Sequence, residues 1–150
     1  MGRGRGGYTE KQTSYRDSGN QKVTDKGAII VAERYIDMGY ESVFRQRHVD
    51  QKTYDLTIKT SDDQNYVKNI EVKMLSTSNP SQMATNIRRA GKQINDGDTV
   101  AIVLPNYKKN ETGIAFAKAG YDEAKRKGFV KGPVEVWFSD KSSLEFNKEN

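Results

Sequence analysis

The chain has 150 residues, of which 34% are hydrophobic and 30% are charged, and its net charge at pH 7 is +5. This length predicts one folded domain with a polar extension, and the basic excess favours a polyanionic partner such as nucleic acid. The absence of cysteine excludes disulfides, thiolate zinc sites and cysteine nucleophiles, and the apolar runs are too short to span a bilayer or to form a signal peptide.

The first 23 residues are rich in Gly, Ser, Gln, Arg and Lys and show no sustained periodicity. Such a composition buries too little apolar surface to fold. We therefore predict that residues 1–23 form a disordered linker to a larger protein and that residues 24–150 form the folded domain.

The first predicted helix begins at a cap formed by Thr24 or Asp25 and ends at about residue 38, before Gly39. At 100° per residue, Glu33 lies about 40° outside the apolar stripe of this helix. Its carboxylate can then reach the layer beneath while remaining hydrated. An ordinary glutamate at the border of the helix is the alternative.

Three strands are predicted next, at residues 42–47, 53–59 and 66–74. In the third strand, alternation places Glu71 and Lys73 on one face. In the second strand it places Asp55 on one face and three apolar side chains on the other, namely Tyr54, Leu56 and Ile58. Two acids and a lysine on one side of a hairpin suit a hard divalent cation, although a solvated charge pair on an outer sheet face has the same pattern.

Asp55 lies opposite Glu71 only if the connecting loop has an odd number of residues or if one strand carries a bulge. We therefore predict a three- or five-residue connection centred on Asp63, or a bulge near Asp55. The two carboxylates should lie within about 6 Å of each other, close enough to share a cation.

The second predicted helix begins with Asn79 as its cap, Pro80 at the first helical position and Gln82 in a capping box. Its polar edge carries Gln93, together with Gln82, Asn86 and Arg89. A strand at residues 100–104, a helix at 112–127 and a strand at 134–138 complete the chain. The order αβββαβαβ predicts an α/β fold with a mixed sheet flanked by helices.

Three basic groups are candidates for nucleic-acid contact, and each is equally consistent with a solvated surface. One lies on the second helix, one follows the next strand and one ends the first strand: Arg88, Arg89 and Lys92; Lys108 and Lys109; and Arg45, Arg47 and His48. The first two groups are expected to form one surface. His48 is the only histidine, which excludes a ribonuclease that works through paired histidines.

This pattern resembles the PD-(D/E)XK nuclease superfamily, and most closely the C-terminal nuclease toxin domains of bacterial contact-dependent growth-inhibition and related polymorphic toxins. The resemblance extends over about residues 24–138 and depends on the order and spacing of Glu33, Asp55, Glu71, Lys73 and Gln93. Tyr54 stands where the superfamily name expects proline. The resemblance implies a restriction-endonuclease-like αβββαβ core.

The resemblance also implies roles for individual residues. Asp55, Glu71 and the Val72 carbonyl would bind a divalent metal, with Mg²⁺ expected and Mn²⁺ or Zn²⁺ as alternatives. Lys73 would orient or deprotonate the attacking water, and Gln93 would contact the scissile phosphate. Glu33 would hold a metal-bound water or a second cation.

The implied activity is metal-dependent hydrolysis of phosphodiester bonds in RNA, including tRNA, or in DNA. The chain would then be the effector domain of a larger secreted or cell-surface toxin that acts in the cytoplasm of the target cell. An acidic immunity protein would neutralise it. Two alternatives are a non-catalytic nucleic-acid-binding module with the same fold and a DNA-processing nuclease of a phage or mobile element.

Overall fold

The computed structural model of the chain describes residues 14–46, 53–62 and 65–147. Within these ranges the chain forms three helices and six strands. In chain order they are α1 (Lys26–Asp37), β1 (Tyr40–Phe44), β2 (Leu56–Thr60), β3 (Tyr66–Met74), α2 (Pro80–Gly91), β4 (Thr99–Leu104), α3 (Glu111–Arg126), β5 (Val134–Phe138) and β6 (Ser143–Phe146). None of the helices formed by these residues has the length and apolar content needed to cross a membrane.

All six strands form one mixed sheet in the order β1-β2-β3-β4-β5-β6. The first three strands are antiparallel neighbours, β3, β4 and β5 are parallel, and β6 runs antiparallel to β5. Helix α1 covers one face, while α2 and α3, which connect the parallel strands, cover the other. The predicted α/β class, with a mixed sheet flanked by helices, is confirmed.

The helix ends follow the local sequence. Asp25 caps α1 by accepting a hydrogen bond from the Ala28 amide at 3.1 Å, and Gly39, with φ of +95°, takes the left-handed conformation just after the helix. Asn79 caps α2 by accepting from the Ser81 amide at 3.0 Å.

Gln93 lies outside α2, which ends at Gly91. The prediction that this helix carries Gln93 is therefore wrong by two residues. The Gln93 amide donates to the Ala90 carbonyl at 2.9 Å, three residues back. Such tightened turns are common where a helix ends.

Each face of the sheet has its own apolar core. The core under α1 contains Leu56, Ile58, Ile70, Val72, Ala101, Val103 and Trp137 from the strands. The core under α2 and α3 contains Val100, Ile102, Leu104, Val134, Val136 and Phe138 from the strands. Successive strand residues thus alternate between the two cores, as a sheet covered on both faces requires.

The segment before α1 is folded against the sheet. Tyr15 is only 3% exposed, and its ring centroid lies 5.2 Å from that of Phe44. Arg16 forms a β-bridge with Lys22. The predicted linker is therefore wrong for residues 14–23, because a single aromatic side chain anchors a polar segment; residues 1–13 lie outside the described ranges.

Several strand boundaries differ from the prediction. β1 begins at Tyr40, two residues before the predicted start, and β2 begins at Leu56 rather than at residue 53. β6 was not predicted, because four residues give too short an alternation to recognise. Its Phe146 ring stacks on Tyr121 of α3, with the centroids 4.4 Å apart.

Candidate active site

Glu71 and Lys73 share the sheet face that α2 covers, as predicted. Their neighbours Ile70 and Val72 point into the core under α1, so alternation directs Glu71 and Lys73 to the opposite side. Glu71 is 0% exposed, and its Oε2 lies 3.6 Å from Lys73 Nζ. Lys73 keeps 28% of its side chain exposed, so the ammonium lies between the buried carboxylate and solvent.

Polar residues continue along β2 and β3 on this face. Thr57 Oγ1 donates to Asn69 Oδ1 at 2.8 Å, and these two residues are direct partners in the β2–β3 register. The apolar core on this face is built mainly from β4 and β5 with α2 and α3. The face therefore has an apolar half under the helices and a polar half beside α2.

The β2–β3 pairing shifts register between Ile58 and Lys59, and the hydrogen bonds indicate a second bulge at Asp55. The Asp55 amide donates to the Ile70 carbonyl at 2.9 Å, although Leu56 is the register partner of Ile70. Two residues of one strand thus lie opposite one residue of the other, as in a bulge. The β2–β3 connection at residues 61–65 is a five-residue loop. Both predicted features are present, although Asp63 itself lies outside the described residues.

The bulge breaks the alternation predicted for this strand. Leu56 and Ile58 pack in the core under α1, whereas Tyr54 packs against the core on the other face. The prediction that Tyr54 shares a face with Leu56 and Ile58 is therefore wrong, because the extra residue reverses the alternation.

The bulge also directs the Asp55 side chain to the edge of β3. Its Oδ2 accepts a hydrogen bond from the Val72 amide at 2.8 Å, and the residue is only 7% exposed. Asp55 is thus bonded to Val72, the residue next to Glu71. It was expected to lie directly opposite Glu71 on the same sheet face. The separation of the two carboxylates, about 6 Å, remains a prediction.

The Val72 carbonyl is directed to the same side as Asp55, because the N–H and C=O of a strand residue point towards the same neighbouring strand. Asp55 therefore supplies one carboxylate, and the adjacent β3 residues Glu71 and Val72 supply the second carboxylate and the carbonyl. This set of oxygen ligands fits a hard cation that keeps several waters. In the described ranges, no group of three or more Asp, Glu, His or Cys side chains is placed to hold a metal.

A cleft of about 180 Å³ lies beside Asp55, under the N-terminus of α1. The segment before α1 supplies Asp17 and Asp25 to its lining, and β1 is followed by Arg45, which also lines it. The Arg45 amide donates to the Asp55 carbonyl at 2.9 Å. The place of Asp17 in the cleft lining could not be predicted from the sequence, because the polar composition of residues 1–23 indicates a linker.

Two residues predicted to contact nucleic acid beside Arg45 are Arg47 and His48. Both lie outside the described residues.

Glu33 lies on the other side of the sheet from Glu71. Its Oε2 accepts a hydrogen bond from the Tyr15 hydroxyl at 2.8 Å, and Tyr15 packs in the core under α1. Helix periodicity placed Glu33 correctly at the border of the buried stripe of α1. It did not indicate which face of the sheet α1 covers.

One flank of α2 faces α3. Ser81 Oγ donates to Glu123 Oε1 at 2.8 Å, and the Arg88 guanidinium lies over the Phe129 ring at 5.7 Å. The opposite edge of α2 carries Gln82, Asn86 and Arg89. Because α2 packs on β3 and β4 while α3 packs on β5, this edge lies on the side of α2 away from α3, towards the polar half of the sheet.

The two basic groups expected to form one surface lie at opposite ends of β4. Arg88, Arg89 and Lys92 are at the C-terminal end of α2, which leads back to the start of β4. Lys108 and Lys109 follow the last residue of β4. The expectation of one continuous surface is wrong, because a helix that connects parallel strands runs antiparallel to them.

Comparison with protein-family models, with curated proteins and with solved structures found no match to this chain.

Proposed function

We propose that this chain is a metal-dependent nuclease that hydrolyses phosphodiester bonds in RNA, including tRNA, or in DNA. The observation that carries the proposal is the fully buried carboxylate of Glu71, 3.6 Å from Lys73 Nζ and adjacent to Val72, whose amide binds Asp55. A buried carboxylate is costly unless it is paired or binds a metal. Lys73 Nζ, at 3.6 Å from Glu71 Oε2, is partly exposed and can reach a substrate phosphate.

The proposed metal ligands are the carboxylates of Asp55 and Glu71 and the carbonyl of Val72. Mg²⁺ is the first expectation, because it prefers oxygen ligands and keeps waters, with Mn²⁺ or Zn²⁺ as alternatives. When bound, such an ion polarises the phosphate and lowers the pKa of a bound water. Lys73 orients the attacking water and stabilises the negative charge that develops on the phosphate. Glu33 is not part of this proposed site.

The proposed substrate path runs along the edge of α2 that carries Gln82, Asn86 and Arg89, beside the polar strand residues of the same sheet face. Arg89 on the α2 edge contacts the phosphate backbone, and Gln93, just beyond the helix, contacts the scissile phosphate. Arg45 lines the separate cleft under α1 and is not assigned to this path. The element order α1β1β2β3α2β4 supports a restriction-endonuclease-like core, since it is the order that the resemblance implies.

The test is to incubate the purified chain with tRNA, total RNA and plasmid, each with Mg²⁺, Mn²⁺, Zn²⁺ or EDTA. We expect cleavage that requires a divalent ion and falls by roughly 100-fold or more in Asp55→Asn and Glu71→Gln. Glu111→Gln, a carboxylate change in the exposed first turn of α3, is the matched control and should cleave normally.

Circular dichroism should show native folding in all three variants. Unchanged cleavage in both site variants would mean that Asp55 and Glu71 are structural. Binding of nucleic acid without cleavage under any condition would favour the non-catalytic module.

The toxic role is a further part of this proposal and depends on the resemblance. Inducible expression of the chain in a bacterial host should arrest growth, whereas expression of Glu71→Gln should not. Growth arrest by both forms would show that toxicity does not require the proposed active site. The expected antagonist is an acidic immunity protein that complements the net charge of +5.

A further inference from the structure

A second cavity lies between α1 and the C-terminal ends of β4 and β5. Its volume is about 190 Å³, and it is lined by Ile30, Arg34, Val103, Pro105, Phe138 and Ser139. Ligands of α/β proteins commonly bind at this edge, outside the carboxyl ends of parallel strands. The proposed active site uses none of these six residues.

Arg34 gives this cavity a charged donor. Ile30 and Arg34 are four residues apart and therefore share one face of α1. The Nε atom of Arg34 is shielded from solvent and has no hydrogen-bond partner among the described residues. Since buried donors are nearly always paired, an unpaired one indicates a position for an acceptor from outside the chain.

The rest of the lining is mostly apolar. Val103 is only 3% exposed, and Ile30 and Pro105 complete the apolar wall. A ligand must therefore combine an apolar body with an oxygen acceptor at one end. Among acceptors, a carboxylate matches the charge of the guanidinium and its parallel donors.

We propose that this cavity binds a small organic carboxylate, with its carboxylate on Arg34 and its apolar body against Ile30, Val103 and Pro105. The volume of about 190 Å³ exceeds that of the apolar cavity of about 150 Å³ that accommodates benzene in another protein. A ligand with a single six-membered ring therefore fits. The proposal is independent of nuclease activity, because it uses neither Glu71 nor a metal.

The test is an NMR titration of the full chain with benzoate, with benzamide as the neutral isostere. Benzoate should produce saturable shifts at the methyl groups of Ile30 and Val103, with at least about tenfold tighter binding than benzamide. Arg34→Gln should remove this preference. Arg126→Gln, in the exposed last turn of α3, should retain it.

A second variant separates loss of the ligand from loss of the fold. Ile30→Phe fills the cavity from α1 and should block benzoate binding while the melting temperature stays within a few degrees of the original. Equal binding of benzoate and benzamide would overturn the carboxylate assignment. Unchanged binding in Ile30→Phe, or no saturable shift up to about 50 mM benzoate, would overturn the cavity as the site.

Discussion

Glu71 has the most unfavourable position of any proposed active-site residue, because it is an acid with no exposed surface. Burial of a charge costs stability, and a bound divalent cation would offset part of that cost. This gives a prediction that does not depend on knowing the substrate.

Mg²⁺ should raise the melting temperature of the chain and should not raise that of Glu71→Gln. The reason is linkage, since an ion that binds only the folded state stabilises it by about 2.7 kcal/mol at 100 times its dissociation constant. In EDTA, Glu71→Gln should melt at the same or a higher temperature than the unmodified chain, because the repulsion expected between the Asp55 and Glu71 carboxylates is gone. Thermal unfolding with and without Mg²⁺ measures both effects, and an equal gain in both proteins would contradict the assignment.

A second buried carboxylate, Glu135, accepts hydrogen bonds from three side chains. It is 4% exposed. Lys68 Nζ lies 2.7 Å from its Oε2, the Tyr35 hydroxyl donates to the same oxygen, and Trp137 Nε1 donates to Oε1 at 3.0 Å. This cluster ties α1 to β3 and β5 and leaves no position for a metal.

Lys68→Met should destabilise the fold by about 3 kcal/mol, because it leaves the buried charge of Glu135 without its cation. Lys118→Met, a matched change on the exposed surface of α3, should alter stability by less than about 0.5 kcal/mol. Urea unfolding of both variants measures the difference. A loss of under about 1 kcal/mol in Lys68→Met would mean that Glu135 finds another partner.

Tyr35 makes the same cluster sensitive to alkaline pH. Burial, followed by the charge of Glu135, raises the pKa of the Tyr35 hydroxyl far above its ordinary value of 10.0. Above pH 10 the unfolded chain therefore releases a proton that the folded chain retains, and stability falls as pH rises, by up to about 1.4 kcal/mol per pH unit. Tyr35→Phe should reduce this slope in urea unfolding between pH 9 and 11, and an unchanged slope would contradict it.

At the scale of elements, α2 and α3 meet at a glycine. A methyl group added at Gly120 would lie 2.6 Å from Met83 Sδ and 2.8 Å from Met83 Cβ. Alanine favours a helix by about 1 kcal/mol over glycine, but this overlap forces the two helices apart.

We therefore expect Gly120→Ala to destabilise the chain by roughly 1–2 kcal/mol, even though alanine has a higher helix propensity than glycine. In a Met83→Ala background Gly120→Ala should cost less than it does in the unmodified chain, because the side chain that the new methyl group contacts is gone. The variants can be compared by urea unfolding. Stabilisation by Gly120→Ala alone would mean that the helix pair is more loosely packed.

Local signals predicted most of these elements, and what they missed depends on pairing between elements. β3 and β5 were predicted with their observed limits, because their alternation is uninterrupted. Asp25 and Asn79 were recognised as caps from residue type and position. The bulge was predicted only as one of two alternatives. Its position depends on which backbone groups of the neighbouring strand bond to the carbonyl of Ile70.

For the whole molecule, sequence reasoning predicted the shared face of Glu71 and Lys73 but not the place of Glu33. The shared face of Glu71 and Lys73 follows from the alternation of side chains along a short stretch of one strand. The place of Glu33 depends on which sheet face α1 covers, and no local pattern encodes that choice. The N-terminal segment was missed for a related reason, because the anchoring role of Tyr15 depends on Phe44, 29 positions along the chain.

The separation of the basic groups gives a prediction about nucleic-acid binding. If the substrate runs along the strand direction, Arg89→Gln with Lys92→Gln and Lys108→Gln with Lys109→Gln should each weaken binding. Each lost phosphate contact should flatten the plot of log affinity against log salt by roughly 0.9. Binding is measured in a Glu71→Gln background to prevent cleavage.

A change in slope for only one pair would show that the substrate contacts only that end of the sheet. An unchanged slope in both pairs would contradict the proposed path and place the substrate on another surface.

The bulge at Asp55 has a consequence for how this chain tolerates length variation. The direction of the Asp55 carboxylate depends on one extra residue in the strand, and much less on the chemical identity of its neighbours. Deletion of a single residue between Thr53 and Leu56 would restore the regular alternation and withdraw the carboxylate from Val72. Among active variants, this short stretch should therefore accept many exchanges of side chain but almost no insertions or deletions, whereas the loop at residues 61–65 should accept both.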